Sequence, residues 1–374
     1  MPFEYLAAGY RGVPINFPGV GWEWVIGISV SGYGPVRCLI GEFAMTIRRR
    51  CGVAAVVITL VLLAQPPARA DETPVPEQIV DTMNQLFGRH AGFRANHAKG
   101  IVAEGTFAPS GAGQALSSTA LFRSGTLPVT VRFSDATGLP TIPDGAPNAN
   151  PHGMAVKLTL PDGSEMDIVA NSLAFFPVAT GEDFLAMLQA AAASGPDAPK
   201  PTPIERFRAD HPAVGPAFAS AQTPSSFARE TYNGVNAFML VAEDGTRQPF
   251  RFKIEPVDGA EHLTVEDAKA KAPDFLVAEL GPRLAQAPAK FRLFATLAAA
   301  GDPLDDATKP WPADRESVDL GTITLTKVAE DSGAREKELL FLPTNLVDGI
   351  EASDDPLIQT RTDAYAVSFA RRSE

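Results

Sequence analysis

Met154-Ala-Val-Lys-Leu-Thr-Leu-Pro-Asp-Gly-Ser-Glu-Met-Asp-Ile-Val-Ala170 reads as a β-hairpin. Two strand-like runs, 154–160 and 165–170, flank the turn residues Pro161-Asp-Gly163. Just upstream, Pro128-Val-Thr-Val-Arg-Phe-Ser134 alternates apolar and polar side chains, and Gly100–Phe107 is a further strand. A Gly/Pro/Asn-rich loop at 138–151 separates these strands from the hairpin. Downstream, strands are expected at 235–243 and 248–256, turning at Asp244-Gly245, and again at 291–298 and 317–327. Helical patterns cover 74–88, 181–193, 204–211, 213–221 and 265–287, with an irregular connection at 196–203. A last helix is expected over 354–372, opened by Asp354-Asp355-Pro356, whose acids and proline suit a helix N-terminus. The strands number roughly eight and pair mostly with chain neighbours. That predicts an α+β protein built on an antiparallel eight-stranded sheet or barrel, with helices around and after it. There is no internal repeat, P-loop or Rossmann glycine pattern.

The front of the chain reads differently. Met45 precedes three arginines, 48–50; an apolar run from Cys51 to Ala64 follows, then Pro66-Pro67-Ala68-Arg69-Ala70. Basic, apolar and small-residue segments in that order predict an export signal, with cleavage after Ala70. An apolar run this short is not expected to span a bilayer, so no stable membrane association is expected. Residues 1–44 then read as a mis-assigned start or an extension, and residues 71–374 as the folded domain, exported and periplasmic in a Gram-negative cell. Residues 71–374 carry 26 basic against 41 acidic side chains, a net of −15, which argues against nucleic acid as a partner. Both cysteines, Cys38 and Cys51, precede the expected cleavage point. The expected mature chain therefore has no disulfide and no thiolate ligand.

His97, in Arg94-Ala-Asn-His-Ala-Lys-Gly100, can move protons. Ser134 and Asn171 stand at the ends of two expected strands and can converge with it as a hydroxyl and an amide. Arg132 shares a strand face with Ser134 by two-residue periodicity. Tyr365 is one of two tyrosines beyond residue 70, the other being Tyr232. Arg361 lies one helical turn before it, where a guanidinium favours negative charge on the phenol oxygen.

Five ordered blocks between residues 94 and 365 resemble the haem-dependent catalase family, and in particular its short catalase-related peroxidase branch. They are Arg94–Gly100; Val131–Ser134 with Pro151-His-Gly-Met-Ala-Val-Lys157; Asp167–Asn171 with Phe175-Phe176; Asp306-Ala-Thr-Lys-Pro-Trp-Pro312; and Thr344–Ser353, leading into Asp355–Tyr365. The resemblance implies a catalase-like barrel holding haem b. It implies His97 as distal catalytic histidine, Asn171 as distal amide, and Ser134 as a buttress of the histidine ring. Tyr365 would be the axial iron ligand supported by Arg361, Arg94 and Arg132 would bind propionates, and Phe184 would pack on the macrocycle. The activity implied is reduction of hydrogen peroxide or an organic hydroperoxide through Compound I, at the expense of a small organic electron donor. Small monofunctional catalase activity, hydroperoxide rearrangement and non-enzymatic haem binding are the alternatives. His152 departs from the family, which usually carries Arg there. The Asn171–Phe176 segment is one residue shorter than in large catalases. The chain also stops soon after Tyr365, which favours the peroxidase branch.

Overall fold

The computed structural model describes residues 73–123 and 125–372. The expected export signal and residues 1–44 lie outside the described residues.

Ten strands form one antiparallel sheet. They are β1 Gly100–Pro109, β2 Leu127–Ser134, β3 Gly153–Thr159, β4 Glu165–Asn171, β5 Tyr232–Asn233, β6 Phe238–Val241, β7 Arg247–Pro256, β8 Ala289–Leu297, β9 Ser317–Val328 and β10 Ile350–Ala352. The expected hairpin is β3–β4, registered with Met154 opposite Ala170 and Leu158 opposite Met166. β7 pairs with β8 on one edge and with β5 and β6 in succession on the other, so the sheet closes into an eight-stranded barrel. β10 is appended to β6.

Alternation decides which side chains fill the barrel. Val129, Val131 and Phe133 of β2 face inward and are almost fully buried, as are Met154, Val156 and Leu158 of β3. Phe133 stacks on Phe227 at 5.4 Å and lies 5.8 Å from Tyr232 and 6.0 Å from Phe291. Burying each such ring stabilises the fold by about 1.5–3 kcal/mol. The barrel is therefore packed solid, and space for a ligand lies on the other face of β2, β3 and β4. Arg132 and Ser134 stand on that outer face.

Eight helices surround the barrel among the described residues: α1 Val75–Phe87, α2 Gly181–Ala192, α3 Pro203–Asp210, α4 Val214–Ala219, α5 Val265–Ala270, α6 Phe275–Gln286, α7 Ser332–Glu338 and α8 Pro356–Arg372. Apolar residues of α1 (Ile79, Met83) bury against Leu185 and Leu188 of α2. Gly88, at φ 83°, ends α1 where a side chain would be strained. Helix α8 packs on both α1 and α2. None of these helices is long and apolar enough to cross a membrane.

Two expectations are corrected. The helix expected over 265–287 is two helices, because Pro273 cannot donate and biases Ala272 away from helical geometry. The strand expected at 235–243 is shorter, β6 covering only Phe238–Val241, and a separate two-residue strand, Tyr232–Asn233, precedes it. In the gap the buried Asn236 uses its side chain rather than its backbone, as described below. Helix α7 and strand β10 were not expected.

Candidate active site

A cavity of about 660 Å³ lies between the outer face of β2–β4 and helices α1, α2 and α8. It brings together all eight site residues expected from the sequence: Arg94, His97, Arg132, Ser134, Asn171, Phe184, Arg361 and Tyr365.

His97 lies in the loop before β1 with φ 55°, in the left-handed region that histidine tolerates better than most residues. Ser134 Oγ lies 3.1 Å from its Nδ1. The ring rests on Gly153, where a Cβ would come within 2.7 Å of Ser134 Oγ and 3.2 Å of His97 Nδ1. The glycine is thus needed for a close approach, and the ring is clamped with Nε2 as the remaining nitrogen. The ring lines the cavity. Burial, followed by the Arg132 guanidinium, holds its pKa down at about 3, so the imidazole is neutral in ordinary conditions.

Near it lies His152, where the resemblance leads to the expectation of an arginine. It is fully buried, with Nδ1 3.0 Å from Asp135 Oδ1 and its ring edge-on to Phe227. Its Nε2 has no hydrogen-bond partner. Lys99 donates to Ile142 O at 2.7 Å and pairs with Asp144 and Asp274, tying the 138–151 loop to the start of β1.

Asn171 closes β4. Its Oδ1 accepts from Leu173 N–H at 2.9 Å, which assigns the amide orientation and leaves Nδ2 as the group available to a ligand.

On α8, Arg361 Nε donates to the Tyr365 hydroxyl oxygen at 3.0 Å. The guanidinium also donates to Asn236 Oδ1 and, at 3.4 Å, to Val169 O. Asn236 Nδ2 in turn donates to Asp355 Oδ2 at 2.8 Å. The interruption between β5 and β6 therefore positions the arginine that holds Tyr365. Tyr232, the other candidate, is committed elsewhere: fully buried in the barrel, it donates to Phe227 O at 2.9 Å.

Arg94, Arg132 and Arg372 all line the cavity. Glu336 of α7 pairs with Arg132 at 2.7 Å and lies 3.8 Å from Arg94. Arg132 also donates to His97 O at 2.8 Å, so one side chain links the cation cluster to the histidine loop. Three guanidiniums thus face one carboxylate. Burial, then Arg132 and Arg372 beside it, push the pKa of Arg94 well below the usual arginine range. Burial and Arg132 lower Arg372 to about 10. Arg372 Nε is buried without a partner. The cluster lacks negative charge, as a site for a dicarboxylate ligand would.

Sequence reasoning missed Arg372, Glu336 and Asn236. Arg372 could have been found, because it lies seven residues after Tyr365 and so shares its helix face.

A closed barrel with a histidine–amide wall, an arginine-supported tyrosine and a buried anion cradle outside the strands defines a haem-protein class. The chain belongs to the catalase family, whose profile matches residues 77–373. It is 33% identical over 303 residues to the catalase-related peroxidase of Synechococcus elongatus, covering 80% of this chain and 88% of that one. It is also 33% identical over 302 residues to the catalase-related peroxidase of Mycolicibacterium paratuberculosis, covering 80% and 95%. The catalase of Pseudomonas syringae pv. syringae is 28% identical, with 83% of this chain matching 60% of that protein. A fungal catalase crystal structure superposes with a TM-score of 0.67 at 19% identity, over 79% of this chain and 62% of that chain.

Family membership implies haem, and the cavity fits it. The volume lies within the range of cofactor pockets, and Phe176 and Phe184, 5.6 Å apart, add aromatic walls. The cation cluster with its orphaned Arg372 Nε suits two propionates, and Tyr365 offers an oxygen already held by a cation.

Proposed function

We propose that this protein is a haem b peroxidase that reduces hydrogen peroxide or an organic hydroperoxide with electrons from a small organic donor. It is an oxidoreductase of the catalase family. The observation that carries the reading is one cavity holding both a clamped, neutral His97 and the Arg361–Tyr365 pair. The peroxidase choice is supported by the two relatives matched over most of their length, both catalase-related peroxidases.

In this reading Tyr365 would ligate the iron, Arg361 would stabilise negative charge on its oxygen, and Arg94, Arg132 and Arg372 would take the propionates. The haem supplies the iron at which the O–O bond is broken and the electrons that break it. His97 Nε2 accepts the proton of the bound hydroperoxide and returns it to the departing oxygen, which leaves as water or an alcohol. A pKa near 3 keeps the ring neutral, and the tautomer in which Nδ1 donates to Ser134 Oγ leaves Nε2 as the accepting nitrogen. Ser134 keeps the ring from turning. Asn171 Nδ2 donates to the peroxide and fixes its orientation. Export to the periplasm is proposed with this function; the family match begins at residue 77, just beyond the expected cleavage point.

The test is an absorbance spectrum of purified protein followed by two assays on one sample. A Soret band and dye oxidation with little oxygen release is the expected result. Vigorous oxygen evolution without dye oxidation would assign catalase activity instead. Absence of a Soret band after haem addition would refute the whole reading.

A further inference from the structure

A second cavity, of about 590 Å³, lies beside the first and shares Pro147, Asn150 and Phe218 with its lining. Among the described residues, two of the four large apolar side chains left exposed, Phe218 (41%) and Val265 (53%), belong to its lining. Phe93 and Val257 are the other two. These two side chains give the pocket apolar surface that a ligand could cover.

The pocket also contains a base. His262 lines it, with Nε2 3.1 and 3.2 Å from the two carboxylate oxygens of Glu230. Glu230 is 3% exposed, and its Oε1 also accepts from Thr231 N–H at 2.7 Å, so the carboxylate is fixed in place. The loop is held too: Leu263 N–H donates to Thr223 O at 2.9 Å. A carboxylate fixed on Nε2 orients the imidazole and leaves Nδ1 as its other working nitrogen. None of these groups takes part in holding haem or in the His97 chemistry.

We propose that this pocket seats the electron donor, a small aromatic bearing a hydroxyl or amino group. The proposal rests on the peroxidase reading and adds the donor's site to it. The aromatic ring would pack on Phe218 and Val265, beside the haem cavity, and the hydroxyl would meet His262. Each donor molecule then gives one electron to the haem that peroxide has oxidised and its hydroxyl proton to His262 Nδ1. The product is an aryloxyl radical, and two donors balance one peroxide. The imidazolium formed is stabilised by Glu230 and passes its proton to solvent; the peroxide's second oxygen leaves as water, taking up two electrons and two protons, equal to those the two donors release.

Guaiacol is the probe, used with haem-loaded protein in two measurements: equilibrium dialysis without peroxide, and steady-state turnover with it. Val265→Glu places a charge in the pocket at the first position of α5, where an acid is compatible with the helix. The expected result is a roughly tenfold rise in both guaiacol Kd and KM, with the rate of reaction with peroxide unchanged. His262→Gln is expected to lower kcat for guaiacol with a smaller effect on Kd. Unchanged guaiacol Kd and KM in Val265→Glu would overturn the proposal while leaving the peroxidase reading intact. Wild-type protein that binds guaiacol here but never oxidises it would overturn the peroxidase reading and the donor role with it.

Discussion

Replacing Arg361 by Met is expected to weaken haem binding by roughly 10- to 150-fold. The guanidinium donates to the Tyr365 oxygen at 3.0 Å and is held there by Asn236 Oδ1 and Val169 O. Ligation through Tyr365 places negative charge on that oxygen. Two unit charges about 4 Å apart attract by about 4 kcal/mol at an effective dielectric near 20, an upper bound. A hydrogen bond to a charged group contributes about 1.5–3 kcal/mol net, which gives the range above. Methionine keeps much of the side-chain volume and removes the charge. Lysine keeps the charge but cannot bridge three acceptors, so Arg361→Lys should fall between the two. The assay is haem transfer to excess apomyoglobin, followed in the Soret band. Urea unfolding of the haem-free proteins runs beside it, because Asn236 Oδ1 loses the guanidinium in both variants while Nδ2 keeps Asp355. A wild-type haem-loss rate in Arg361→Met, with Tyr365→Phe losing most of its haem, would refute the role given to the arginine.

Two further outcomes follow from the charges around the cavity. The folded pKa of His97, about 3, lies below its ordinary 6.5, so the folded protein binds fewer protons than the unfolded chain between those values. Stability of the haem-free protein should therefore decline as pH falls from about 6.5 to about 3, and His97→Gln should flatten that decline; chemical denaturation across the pH series checks it. Glu336→Gln should destabilise the haem-free protein by about 2–3 kcal/mol, somewhat below the figure for a fully buried ion pair because Glu336 is 15% exposed. Bound propionates would restore negative charge to the arginines, so the loss should be smaller with haem; equal losses in both forms would mean that no anion meets this cluster.

Much of the fold was legible because alternation and turn chemistry agree along β1–β4 and β7–β9, each found within about two residues of its expected bounds. What was missed has local causes. Helix α7, Ser-Gly-Ala-Arg-Glu-Lys-Glu, has no apolar face; Asp331 caps its start and Ser332 Oγ accepts from Val102 N–H at 2.9 Å, both contacts invisible to periodicity. Strand β10 has three residues, too few for a period. Within the site, His97, Asn171 and Tyr365 were readable because each sits in a compact block of sequence. Glu336 was not, because its meaning depends on the fold carrying α7 to Arg132. The second cavity was unreadable for the same reason: Phe218, Glu230, His262 and Val265 lie on separate loops and helices, and only the closed barrel gathers them.

The most direct measurement is the rate at which the Soret absorbance changes on mixing haem-loaded protein with hydrogen peroxide, wild type against His97→Ala. Both proteins should hold haem, because Tyr365, Arg361 and the arginine cluster are untouched. Loss of a proton-transfer group should slow the reaction by about 10²–10⁴-fold. Equal rates in the two proteins would contradict the assignment of proton transfer to His97.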